Sequence, residues 1–145
     1  MSSWSDELII GATGMELRRA SEWLDAACRG RAAPREPVER LLLCLNEALT
    51  NVMVHGGETA LSAPIRLLLE FRFDPGGGEV GVTVSDAGLA FNPLSAPRKA
   101  LPKTLDEALP GGLGLVMMRG LSDWLDYRHE AGRNHLTFGA RWKLP

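Results

Sequence analysis

The chain has 145 residues, a formal net charge of −2 and 23% charged residues, which suits one soluble domain and offers no basic surface for nucleic acid. No apolar run approaches the roughly 20 residues of a membrane helix. Polar Ser2, Ser3, Ser5, Asp6 and Glu7 stand where a secretory leader would be apolar, so a cytoplasmic protein is expected. Cys28 and Cys44 lie outside any CxxC or Cys/His spacing and read as two reduced thiols, with Cys44 buried and no structural metal.

In chain order, Glu7–Ala12 reads as a short edge strand. Met15–Arg29 places Met15, Leu17, Ala20, Trp23, Leu24 and Ala27 at helical spacing, with Gly30 as the stop. After a loop over Ala33–Pro37, a long helix begins near Glu36–Val38, where Pro37 suits the first turn. Its body is Leu41–Gly57, with Leu41, Leu45, Ala48, Leu49 and Val52 on an apolar face. The Gly56-Gly57 pair ends it, because glycine tolerates the left-handed terminal conformation. Pro64–Asp74 and Glu79–Ser85 alternate as strands around a glycine-rich turn at Pro75–Gly78, a β-hairpin. Pro93–Pro110 is proline-rich and weakly periodic, with room for one helical turn over Thr104–Leu109; its place between two glycine motifs predicts a lid over about 94–110. Leu113–Leu121 reads as a helix opening from glycines. Asp123–Glu130 and Asn134–Leu144 form a last hairpin about Ala131-Gly132-Arg133. Two hairpins separated by a helix predict an α+β fold, a two-layer α/β sandwich with a mixed, mostly antiparallel sheet. The whole of 1–145 is expected to be one domain.

Three stretches carry chemistry. On the long helix Glu47, Asn51 and His55 are spaced by four, so a carboxylate, a carboxamide and an imidazole share one face. The same spacing also fits an ordinary solvated helix face, and a packing or capping role for His55 stands beside a functional one. Asp86 follows an apolar strand and precedes Gly88; a carboxylate there can accept from an exocyclic amine such as adenine's, though Asp-x-Gly turns are common. Gly111, Gly112 and Gly114 open a helix, where bare backbone N–H groups and the helix dipole favour an anion such as a triphosphate, or where a loop merely becomes a helix. Asn51 can give one oxygen to a divalent cation whose other ligands are water and phosphate, and Glu47 can take a proton from an attacking hydroxyl. No GxxxxGK[ST] loop is present, and Met117 occupies the third glycine of a dinucleotide fingerprint.

In this order the three blocks resemble the GHKL ATPase superfamily of gyrase, Hsp90, histidine kinases and MutL, whose nucleotide fold is the Bergerat fold. E-A-L-T-N-x-x-x-H resembles its N box, D-A-G-L-A-F-N-P its first glycine box and G-G-L-G-L its second. Within it, the likeness is to bacterial anti-sigma-factor serine/threonine kinases of the RsbW and SpoIIAB type, over nearly the whole chain. The resemblance implies Glu47 as general base and Asn51 as Mg²⁺ ligand. Asp86 and Gly88 would hold adenine, Gly112, Leu113, Gly114 and Leu115 would meet the phosphates of ATP, and Thr137 would support an adenine-bound water. It also implies a STAS-domain antagonist as phosphoacceptor, a sigma factor as sequestered partner, an opposing metal-dependent serine phosphatase, and a homodimer. Ala90 stands within the nucleotide-binding set where the family has a second glycine, and Asn92 where it has Asp. A non-catalytic sequestering module and a detached catalytic domain of a sensor histidine kinase are the alternatives.

Overall fold

The computed structural model describes residues 2–90 and 118–145, apart from the His55 side chain. Five strands, β1 (Ser2–Ile10), β2 (Ile65–Asp74), β3 (Gly77–Asp86), β4 (Trp124–Glu130) and β5 (Arg133–Lys143), form one sheet in the order β1-β2-β3-β5-β4. Helices α1 (Gly14–Arg29), α2 (Arg35–His55) and α3 (Gly57–Ser62) complete the described elements, with a further helical stretch over 118–121. The α/β sandwich is as expected, but every described strand pair is antiparallel, so the described sheet is not mixed.

Alternation decides which face of the sheet is covered. Ile65, Leu67, Leu69 and Phe71 of β2, Val80, Val82 and Val84 of β3, and Phe138 and Ala140 of β5 are buried. They meet Ala20, Leu24 and Cys28 of α1 and Val38, Leu41, Leu45, Ala48, Leu49 and Val52 of α2 in one core. The intervening residues, such as Arg66, Glu70, Arg72 and Arg141, lie exposed on the other face.

Three local differences from the sequence reading have physical causes. Strand β1 starts at Ser2, five residues before Glu7, because its ladder with β2 runs from Ser2 opposite Phe73 to Ile10 opposite Ile65; pairing, not hydrophobic pattern, defines it. The glycine-rich turn shrinks to Pro75–Gly76, where Asp74 Oδ1 accepts the Gly76 N–H at 2.7 Å. Gly77 and Gly78 belong to β3, and a Cβ on Gly78 would lie 2.5 Å from the Trp142 ring that covers it. Finally, α2 does end at the glycine pair, with Gly57 at φ 77, but a short helix, α3, follows at once. None of the described helices is long and apolar enough to cross a membrane.

Candidate nucleotide site

The site begins on α2. Arg40, Glu47 and Asn51 are seven and four residues apart, which returns each to nearly the same face of a 3.6-residue helix. Glu47 is half-buried, and Asn51 is 9% exposed. Asn51 Oδ1 is fully enclosed and accepts no hydrogen bond, the one such side-chain atom among the described residues. An orphaned buried acceptor is costly, and it is what a cation or a bound water would relieve. The neutral oxygen fits one position of a Mg²⁺ ion whose remaining ligands are water and phosphate. Arg40 closes the other end of this ridge. Its Nη1 donates to the Leu121 carbonyl at 2.7 Å and lies 3.5 Å from Asp123 Oδ2, which ties the chain after residue 118 to α2.

Asp86, at the end of β3, is 6% exposed and on the covered face of the sheet. Its Oδ1 accepts the Gly88 N–H at 2.8 Å and the Asn134 amide at 3.2 Å. Oδ2 accepts nothing among the described residues, so one carboxylate oxygen is left as an acceptor. From the open face, Arg133 braces the same strand end. It donates through Nε to Ser85 Oγ at 2.8 Å and through Nη2 to the carbonyls of Ser85 at 2.9 Å and Pro64 at 3.0 Å.

Gly88 is needed for a reason the sequence reading did not reach. A Cβ there would sit 2.8 Å from both Asp86 Oδ1 and the Gly56 carbonyl oxygen, so the missing side chain first lets this box pack on the end of α2. The Leu89 N–H completes that junction by donating to Gly56 O at 3.1 Å. Ala90 is exposed and its φ is not positive, so its methyl group imposes no backbone strain in place of glycine.

Thr137 is corrected. It is opposite Thr83 in the β3–β5 register, and the two hydroxyls are 2.8 Å apart. Strand parity puts this pair on the sheet face away from Asp86, so the structure does not bring Thr137 together with Asp86. The β5 residue on the correct face is Asn134, directly opposite Asp86. Its signal was present in the sequence: Asn134 has the parity of Leu136, Phe138 and Ala140, a polar residue at an inward position. Arg40 and Arg133 carried no such signal, because their partners are 81 and 48 residues away. Asn92, Gly111, Gly112, Leu113, Gly114, Leu115, the 94–110 lid and the Thr104–Leu109 turn lie outside the described residues, as does the start of the Leu113–Leu121 helix.

Comparisons with known proteins identify the family and the fold. Residues 10–139 match the histidine kinase-like ATPase domain family. The chain is 36% identical over 138 residues to the serine/threonine-protein kinase BtrW of Bordetella bronchiseptica, covering 94% of each chain. Among solved structures it is similar to the RsbU and RsbW domains of Rv1364c from Mycobacterium tuberculosis, at TM-score 0.70 and 20% identity. That match covers 98% of this chain but 33% of the other. A second is the SiaB–SiaC complex from Pseudomonas aeruginosa, at TM-score 0.56 and 13% identity, covering 94% and 89% of the two chains. These two structures share the fold. The chain belongs to the histidine kinase-like ATPase domain family, as a relative of the serine/threonine-protein kinase BtrW.

Proposed function

We propose that the chain binds Mg²⁺·ATP between the end of α2, Asp86 and the second glycine box, and phosphorylates a serine or threonine of a small STAS-domain protein in a partner-switching circuit. The observation that carries this reading is the buried, unpartnered Asn51 Oδ1, one helical turn beyond Glu47.

Each residue has a distinct task. Asp86 Oδ2 accepts the exocyclic amine of adenine. Asn51 gives its amide oxygen to the Mg²⁺, which when bound neutralises phosphate charge. Backbone N–H groups at Gly112, Leu113, Gly114 and Leu115 receive the phosphates. Glu47 takes the proton from the acceptor hydroxyl as its oxygen bonds to the γ-phosphorus and the bond from that phosphorus to the β–γ bridging oxygen breaks, releasing ADP. Sequestration of a sigma factor, a homodimer and an opposing serine phosphatase belong to the same circuit. One structure that shares the fold is a complex of two proteins, SiaB and SiaC, which supports a protein partner.

The test is incubation of the chain with γ-labelled ATP, Mg²⁺ and purified STAS-domain proteins from the same genome. Transfer of label to a serine or threonine of one of them, lost in Glu47→Gln, is expected. Tight ATP binding without transfer to any of them would favour a non-catalytic sequestering module.

A further inference from the structure

Asn134 is a side chain that no comparison assigns, and its contacts converge on the one carboxylate proposed to read the base. It is 6% exposed and sits opposite Asp86 in the ladder. Its Nδ2 donates to Leu89 O at 2.8 Å, to Asp86 Oδ1 at 3.2 Å and to Gly88 O at 3.3 Å. Its Oδ1 accepts from the Tyr127 hydroxyl. A carboxamide can flip end for end, and a flipped Asn134 would set its oxygen against a carboxylate and two carbonyls. The Tyr127 donor holds it the other way. The Gly88 N–H and the Asn134 amide together occupy Asp86 Oδ1, and the carboxylate cannot turn without losing both.

We infer that Asn134, held by Tyr127, is the positioning residue that makes Asp86 a selector for 6-amino over 6-oxo purines. This rests on the ATP-binding reading above. With Oδ1 occupied, Oδ2 is left as a pure acceptor in a fixed direction. An amino group at purine position 6 supplies the donor it needs, whereas a carbonyl at that position would oppose it with a second acceptor. A carboxylate free to rotate would lose part of this discrimination, because it could move aside or admit a bridging water.

The experiment is calorimetric titration of the whole chain with the Mg²⁺ complexes of ATP, purine riboside triphosphate, which lacks only the 6-amino group, and GTP. The unaltered chain should prefer ATP over purine riboside triphosphate by about 10–100-fold, the range for a hydrogen bond to a charged group. Asn134→Ala should bind ATP more weakly, bind purine riboside triphosphate nearly as before, and so lose most of that preference. Tyr127→Phe keeps the ring packing and should reduce the preference roughly threefold, as expected for one neutral hydrogen bond. It carries the test if Asn134→Ala does not fold. Equal weakening of ATP and purine riboside triphosphate in these variants would mean that Asn134 only supports the fold, and an unchanged preference would mean that Asp86 is fixed without it. Either overturns the inference while leaving ATP binding intact. Failure of the unaltered chain to bind ATP would overturn the parent reading and this one together.

Discussion

Gly88 and Gly56 meet backbone to backbone: a Cβ on Gly88 would lie 2.8 Å from the Gly56 carbonyl oxygen and 2.9 Å from its Cα. The end of α2, four residues past Asn51, and the first glycine box are therefore one packed unit. Gly88→Ala forces backbone apart and should cost about 1–3 kcal/mol, the usual cost of overpacking. It should also weaken ATP binding by displacing Asp86. Ala90→Gly restores the family pattern at an exposed, unstrained position, and stability should change by no more than about 0.5 kcal/mol. Thermal melts with and without ATP measure both. A Gly88→Ala protein as stable as the parent would show that the junction is loose.

Asn51 should trade stability for binding. Its orphaned Oδ1 costs free energy in the ligand-free chain. Asn51→Ala should leave the melting temperature without nucleotide unchanged or raised, while removing most of the increase that Mg²⁺·ATP produces. A lower melting temperature with the ATP increase retained would make Asn51 an ordinary structural residue.

Glu47→Gln keeps the shape of the side chain and removes its basicity. Phosphotransfer to the partner should fall by about 10²–10⁴-fold, with ATP affinity nearly constant. Single-turnover rates beside a binding isotherm separate the two quantities. A wild-type transfer rate would exclude Glu47 as the base.

Thr137→Val tests the placement of the β3–β5 threonine pair. Loss of the 2.8 Å contact with Thr83 should cost about 1 kcal/mol. ATP affinity should not change, since the pair lies on the sheet face away from Asp86. A tenfold loss of affinity in a stably folded Thr137→Val protein would return Thr137 to the pocket.

The two thiols should make the fold sensitive to alkali. Burial pushes both Cys28 and Cys44 from an ordinary value of 9.0 up to about 11. In the unfolded chain they ionise first, so between about pH 9 and 11 the native state holds more protons than the unfolded one. Their contribution is complete below the unfolded pKa and is lost as pH rises towards the folded one. Denaturant midpoints should fall over this window, less steeply in Cys28→Ala/Cys44→Ala. Native thiols should also react slowly with a thiol reagent; fast labelling at neutral pH would show that they are accessible.

Local pattern made much of this fold legible. The alternation of Leu67, Leu69 and Phe71, of Val80, Val82 and Val84, and of Leu136, Phe138 and Ala140 marks real inward faces. The α2 periodicity and its glycine stop hold as well. What escaped depends on partners distant in sequence. The Ser2–Asp6 half of β1 is a strand only because β2 lies beside it. The face occupied by Thr137 follows from strand parity and β3–β5 register, and a family motif applied without that register chose the wrong side. Arg40 looked like one more charge on a helix, and only its contact with the Leu121 carbonyl shows that it joins α2 to the segment behind the second glycine box.

The strand order has a consequence for synthesis. Strand β5 inserts between β3 and β4, and Asn134 follows Asp86 by 48 residues. A growing chain that has not yet released β5 from the ribosome exposes the inner edge of β3, an open template for pairing with another chain. On the function proposed above, it would also lack the Asn134 that holds Asp86, and competence for nucleotide would arrive when the β4–β5 hairpin closes, not by degrees as the earlier helices and strands emerge.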